Sequence, residues 1–348
     1  MKTAFPGIFQ FKHPEPFRSK SPVWPVFIPF AGCPFRCVYC SQFVQTGQTV
    51  KSPEQTGRDM TTGISARYDK TGKPVSLGFF GGTFTAIHNR EMIFYLKKAW
   101  QLKKAGAVDH LRCSTRPDCI DEQKLSILAD YGVDMIELGI QSFDQNTLKL
   151  SNRRYSSGQA VHACHLVKDS GFELGIQLLP GLPGSGNTVF KRDIALVRGI
   201  APHIVRIYPC LVLKETPLAE KMALGLYRPW NLETTIQITS QALLDLWKKN
   251  IPVIRLGLTP EKTLLKHILA GPWHPSLGSL CRSAAFKTWF LFQLAATGGR
   301  ACRIFIPERY ASDFWGYKQM NLKSLAAKGI THKMVKPWKK EFFRIYFS

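Results

Sequence analysis

This sequence predicts a parallel α/β fold with a smaller C-terminal α/β extension. Two observations carry the prediction. Short apolar runs at 24–30, 75–80, 109–115, 134–140, 173–179 and 203–209 alternate with helix-length stretches. That is the pattern of βα units, which lay parallel strands side by side. The length, 348 residues, suffices for one large domain plus an appendage, or for two domains, with a full hydrophobic core. Spacing alone fits a six-stranded partial barrel, an eight-stranded barrel or an open sheet.

Residues 1–22 read as an N-terminal extension. Prolines and charges in "MKTAFPGIFQFKHPEPF" interrupt the apolar core that a signal peptide needs, so export is not expected. Nine cysteines, odd in number and unevenly spaced, argue for a reducing cytoplasm rather than a disulfide framework. No apolar run is long enough for a membrane span. The net charge is +23, with 47 Lys+Arg against 24 Asp+Glu. Such an excess suits a polyanion such as RNA, or is spread over solvated helix faces.

The first apolar run, "VWPVFIPF" (23–30), reads as a buried strand. It leads into "AGCPFRCVYC" (31–40), where Cys33, Cys37 and Cys40 are spaced C-x3-C-x2-C. A structural zinc site wants four closed ligands, yet the next cysteine is Cys113. A redox C-x-x-C leaves Cys33 unexplained. Three thiolates on one short loop suit a [4Fe-4S] cluster with one iron left open. A βα barrel also places its chemistry on loops at the C-terminal ends of its strands.

With Tyr39 just before the last cysteine, the motif resembles the radical S-adenosylmethionine (SAM) superfamily. The downstream motifs are similar to its Elongator catalytic-subunit-like and oxygen-independent coproporphyrinogen III oxidase-like branches, over residues 24–280. The resemblance implies a partial (β/α)6 TIM-like radical SAM barrel over 23–230. A barrel-adjacent extension over 231–285 and a basic aromatic region over 286–348 follow it. It also implies that Cys33, Cys37 and Cys40 hold the cluster, that the open iron chelates SAM, and that Tyr39 lies near the adenine. In that superfamily the reduced cluster cleaves SAM to a 5′-deoxyadenosyl radical, which abstracts hydrogen from substrate. An electron donor such as flavodoxin or ferredoxin is implied as a partner.

The remaining elements follow in order. The second run ends in "LGFFGGTFTAI" (77–87), where Gly81 and Gly82 let the backbone approach a ligand closely. By resemblance, Gly81-Gly82-Thr83 stands for a GGE-like motif that holds the SAM amino group. A tight turn with a helix cap at Thr85 or Asn89 is the other reading. The third run ends in "RCSTRPD" (112–118). Ser114 and Arg116 share a face and suit a carboxylate or ribose, against an N-cap turn at Asp118. The fourth, "MIELGIQSFD" (135–144), buries Glu137, which needs partners, and by resemblance Gln141 is implied to sit at the barrel mouth near SAM or substrate. "ELGIQSFD" resembles the pattern of both branches.

In "LKLSNRRYSSGQ" (148–159) the relatives carry an arginine, commonly followed by histidine. Arg153 or Arg154 is implied to pair with the SAM carboxylate, Arg154 being the better fit, with Tyr155 in the histidine's place. His162 and His165 read as surface or packing residues of a helix. The fifth run, "FELGIQLLPGLPGSG" (172–186), carries Gln177 and a Gly-Pro exit similar to a loop that contacts adenine in the family. The sixth, "HIVRIYPC" (203–210), ends at Cys210. This thiol is either a hydrogen donor to a product radical or a small buried residue. Arg206 and Tyr208 share a face.

Residues 211–230 read as an exit loop, 231–249 as a long helix, and "IPVIRLGL" (251–258), with Arg255, as a further strand. His274, in the turn-rich stretch 269–280, is either an acid–base group or a packed loop histidine. Residues 300–348 hold 11 Lys+Arg against 3 Asp+Glu, interleaved with aromatics. They suit base stacking with phosphate neutralisation, or the core of a small cap. No acetyltransferase-sized domain is expected after residue 300, a departure from the Elongator catalytic subunit that puts its wobble-uridine activity in doubt. Three functions remain open: a radical SAM enzyme acting on tRNA or other RNA, one acting on a small molecule such as a porphyrinogen, and a non-catalytic iron–sulfur protein.

Overall fold

The structure, a computed structural model, describes residues 7–16 and 21–347. The extension expected over 1–22 lies partly outside them. Seven parallel strands form one sheet, curled into a half-barrel. In spatial order, which is also chain order, they are β1 (Val23–Ile28), β2 (Val75–Gly81), β3 (Val108–Thr115), β4 (Met135–Gln141), β5 (Glu173–Leu178), β6 (Ile204–Ile207) and β7 (Val253–Leu256). The first six fall within two residues of the expected runs. β4 is buried at every position but its last, as expected of a strand covered on both faces.

Helices Pro53–Thr71, Asn89–Lys104, Glu122–Asp130, Ser157–Asp169 and Asn187–Ile200 make the successive crossovers. Their starts are written locally. Ser52, Asp121 and Ser156 each accept a hydrogen bond from a first-turn N–H, and Ser156 with Gln159 forms a full capping box.

Two features differ from the expectation. The further strand at 251–258 belongs to the same sheet, as β7, with Arg206 opposite Arg255. The segment 211–230 is not simply a loop. Val212–Leu213 pairs with Ile268–Ala270, and a helix runs over Pro217–Ala223. Thr216 caps that helix and Pro217 opens it, a start signal that the local sequence carries.

The chain divides into two compact units. One comprises Arg18–Trp230 and Val253–Trp273 and contains the seven-stranded sheet. The other comprises Met1–Phe17, Asn231–Pro252 and His274–Ser348. The stretch 231–285 is thus divided between the units, because β7 pairs with β6. The second unit holds a four-stranded sheet in the order Ile8–Phe11, Phe343–Phe347, Ala301–Pro307, Val335–Trp338. Its core packs Ile304, Ile306, Phe343 and Ile345 with Phe286 and Phe290 of the helix Leu277–Thr297. Part of the C-terminal aromatic set is therefore core.

In this second unit His13 is stacked between Phe286 and Tyr310, with ring centroids 4.7 and 4.2 Å away. Its Nδ1 accepts from the Glu15 N–H, while its Nε2 is buried without a hydrogen-bond partner, 3.6 Å from Asp313 Oδ2. Burial, with Arg282 and Arg309 nearby, pushes its pKa down to about 3. The neutral ring is thus the folded form. Because the folded pKa is depressed, its contribution is full above about pH 6.5 and is lost as pH falls toward 3. A His13→Phe variant should gain on the parent by up to ~1.4 kcal/mol per pH unit across that window. Urea unfolding of both proteins at pH 7 and pH 5 checks this, and an unchanged difference would refute it.

Candidate functional site

The cysteine loop lies between β1 and the short helix Gln42–Thr46. It is fastened to the turn after β2. The Gly82 N–H donates to the Ile28 carbonyl at 3.0 Å, and the Thr83 N–H donates to that of Ala31 at 2.7 Å. A Cβ on Gly82 would lie 1.9 Å from the Ala31 oxygen, and one on Gly32 2.3 Å from the Thr83 oxygen. Only glycine permits this approach at either position. Gly82 therefore serves the backbone of the cysteine loop directly. Cys33 Sγ lies 3.4 Å from Thr83 Oγ1. Gln42, which the sequence reading missed, accepts from the Phe30 N–H and donates to the Gly81 carbonyl, joining loop and turn a second time.

The other side of the loop is held by residues 151–155. Val38 N–H donates to the Ser151 carbonyl at 3.3 Å, and Asn152 Nδ2 to that of Arg36 at 2.7 Å. Arg153 is buried beneath. Its guanidinium donates to Cys37 Sγ at 3.5 Å, to the Tyr155 hydroxyl at 2.9 Å and to the Gly139 carbonyl. Tyr155 donates in turn to the Ile140 carbonyl at 2.7 Å. Arg154, preferred from the sequence, is instead exposed and lies over the Phe35 ring. The arginine beside a cysteine of the loop is Arg153. The reason is local: at 153 and 155 the chain turns inward, and at 154 outward.

Cys37 and Cys40 differ. Burial pushes Cys37 up, but the charge and hydrogen bond of Arg153 outweigh it, and Cys37 titrates below the ordinary thiol range. Burial, with Cys37 and Cys33 nearby, pushes Cys40 up to about 12. Among the described residues no three His, Cys, Asp or Glu side chains converge on a single-ion site. A cluster takes each thiolate on a separate iron, so it does not require that convergence. Three thiols on one loop, one with a guanidinium against its sulfur, are a donor set that fits it. A second sign concerns SAM. Gln141, in the left-handed region with φ 68°, ends β4 with its Oε1 buried and without a partner. That acceptor fits an amino or hydroxyl donor.

The other expected residues lie around this centre. Tyr39 is buried with Cys37, Leu182, Cys210 and Tyr227 in one apolar cluster. Cys210 is pushed up to about 12 by burial and sits among apolar side chains. The Arg116 fork is taken by Asp118, at 2.9 and 2.7 Å. Gln177 Nε2 donates to both Ser114 Oγ and Glu137 Oε2 at 3.1 Å. Glu137 is fully buried and also accepts both arms of Arg206, at 2.6 and 3.0 Å, and one from Arg112 at 3.5 Å. Burial alone would raise its carboxyl, yet the two guanidiniums hold it below the usual range. His274 Nδ1 accepts from the Ser276 N–H, as a loop-capping group does. His162 and His165 are exposed.

Asp193 was also missed. It accepts from Ser142 Oγ and the Phe143 N–H, both at 2.8 Å, and so fixes the backbone after Gln141. The signal was present: in "FKRDIALV" it lies on the apolar helix face of Phe190, Ile194 and Val197.

Comparison with known proteins gives the family. The family model of the radical SAM superfamily matches residues 27–195, and that of the radical SAM C-terminal domain matches 202–285. The chain belongs to the radical SAM superfamily. Its cofactors are therefore a [4Fe-4S] cluster and SAM. Among curated proteins, it is similar to the tRNA uridine(34) acetyltransferase of Methanocaldococcus infernus. The two are 29% identical over 251 residues, 61% of this chain and 47% of the relative. It is also similar to the oxygen-independent coproporphyrinogen-III oxidase-like protein HemZ of Bacillus subtilis, 27% identical over 210 residues, 56% of this chain and 40% of the relative. The chain spans about half the length of the curated relatives it matches. The solved archaeal Methanocaldococcus infernus Elp3 with an N-terminus deletion shares the fold. Its TM-score is 0.60 at 24% identity, covering 84% of this chain and 68% of that one.

Proposed function

We propose that this protein is a radical SAM enzyme that abstracts hydrogen from an RNA substrate, tRNA foremost. The observation that carries the chemistry is the doubly fastened loop of Cys33, Cys37 and Cys40 with the Arg153 guanidinium against Cys37. In this reading the three cysteines are the cluster ligands, and Arg153 keeps Cys37 a thiolate and fixes the loop's inner side. Gly81, Gly82, Thr83 and Gln141 line the SAM side, and Tyr39 packs near the adenine. When bound, cluster and SAM supply the hydrogen-abstracting radical, which no side chain here can generate. The buried surroundings of Cys37 and Tyr39 exclude water from that reaction.

Charge and surface chemistry support RNA as substrate. The outer face of the four-stranded sheet carries Phe305, Trp338, Arg344 and Tyr346, opposite the face that forms the core. Arg344 and Lys340 lie over the Trp338 ring, at 5.2 and 5.4 Å. Cations beside half-buried aromatic rings suit single-stranded RNA. The net charge of +23 and the tRNA-modifying relatives point the same way. An electron donor such as flavodoxin or ferredoxin, and residence in the cytoplasm, belong to the same proposal. Among the described residues no helix is long and apolar enough to cross a membrane.

The test is 5′-deoxyadenosine formation by anaerobically reconstituted, dithionite-reduced protein given SAM. Product should form and should rise when bulk tRNA is added. Product indifferent to tRNA would replace RNA by a small molecule. No product from a protein with a full cluster would leave a non-catalytic iron–sulfur protein.

A further inference from the structure

A cleft of about 290 Å³ opens between the loop after β5 and residues 221–230. Its charged lining residues are Lys221 and Arg228, without an acid. Neither cation has a carboxylate partner among the described residues. The helix Asn187–Ile200 begins at its edge, and the N-cap Gly186 supplies no side-chain acceptor. Among the described residues, the N–H groups of Asn187, Thr188 and Val189 have none either. Such amides, with the positive end of the helix dipole, attract an anion.

Two further observations point to a ligand. Ser185 lines the cleft and is 6% exposed, yet its hydroxyl has no hydrogen-bond partner. A buried polar atom without a partner, on a residue that lines the cleft, calls for an external partner. A Cβ on Gly186 would meet nothing within 4 Å, so the space over the helix start is open. Beside it the Trp230 ring packs against Gly181, where a Cβ would lie 3.3 Å from the indole. The ring is half-buried and lines the cleft, a surface on which a base can stack.

We propose that this cleft binds a phosphate group. The Ser185 hydroxyl and the first amides of Asn187–Ile200 receive its oxygens, Lys221 and Arg228 neutralise it, and Trp230 receives an attached base. The site stands on this geometry. Only its assignment to an RNA backbone phosphate, rather than a free phosphate, rests on the RNA reading above.

Gly186→Asp tests it without threatening the fold. Position 186 has extended backbone, φ −91° and ψ −179°, which aspartate adopts, and aspartate is a favoured N-cap. The variant should melt no lower than the parent, but its carboxylate takes the place of the anion. Binding of bulk tRNA should weaken roughly tenfold, and the slope of log affinity against log salt should fall by about one. Arg228→Ala should act in the same direction. Inorganic phosphate, titrated separately by calorimetry, distinguishes the sources. Loss of phosphate binding with tRNA binding intact would assign the site to a free phosphate. Unchanged binding of both in both variants would overturn it. A parent that binds phosphate but not tRNA would refute the RNA reading and leave the site standing.

Discussion

Cys37→Ala is expected to abolish cluster assembly, with iron content after anaerobic reconstitution near zero and no 5′-deoxyadenosine formed. A cluster with an open iron already has one protein ligand fewer than the usual four, and losing another leaves two. Cys37 is also the thiol that Arg153 favours as thiolate, so its loss removes the readiest donor. The substitution deletes one sulfur and one of the acceptors of Arg153, which keeps Tyr155 and the Gly139 carbonyl, at a cost of about 1–3 kcal/mol, so failure to bind iron is not failure to fold. Cys164→Ala is the control, since Cys164 is also buried but lies on the helix Ser157–Asp169, away from the loop. It should assemble a full cluster. Full iron content in Cys37→Ala would remove the basis of the proposed chemistry.

The second large effect is one of stability. Glu137→Leu is expected to destabilise the protein by roughly 3–5 kcal/mol, because breaking a buried ion pair strands its partner. Here there are two partners. Arg206 would lose both arms of its fork, and Arg112 its carboxylate. Gln177 would also lose one of its two acceptors. The melting temperature should fall by about 10 °C on the scale for domains of this size. Replacing Arg206 with Met and Arg112 with Leu in the same protein should restore much of the loss, since an apolar core tolerates the exchange better than unpaired charge. A single variant that melts with the parent would mean that water or relaxation already screens these groups.

The legible parts of the fold were those written within a few residues. The apolar runs place six strands, and Ser156 with Gln159 marks a helix start. The helix at Pro217–Ala223 is equally legible from Thr216 and Pro217, though the stretch as a whole reads as an exit loop. The seventh strand was visible as a strand, but its partner was not. Its pairing with β6 joins segments nearly fifty residues apart, and period-two patterning carries no address. The aromatic tail was ambiguous for a similar reason. Phe343 and Tyr346 are both aromatic residues of one strand, yet one faces the core and the other the outer side.

At the site, the spacing of Cys33, Cys37 and Cys40 pointed to a cluster, because three thiols on one short loop need no folding to be neighbours, and SAM came with the family resemblance of that motif and the ones after it. The apolar runs likewise determined the α/β class. Tertiary structure decided the rest. It set Arg153 rather than Arg154 against Cys37, drew Glu137, Arg112 and Arg206 into one buried network, and fastened Gly82 to the backbone of the cysteine loop. Each of those choices depends on close approach between segments far apart in the chain. Hydrogen bonds and steric limits act over a few ångströms, and only the folded chain sets those distances.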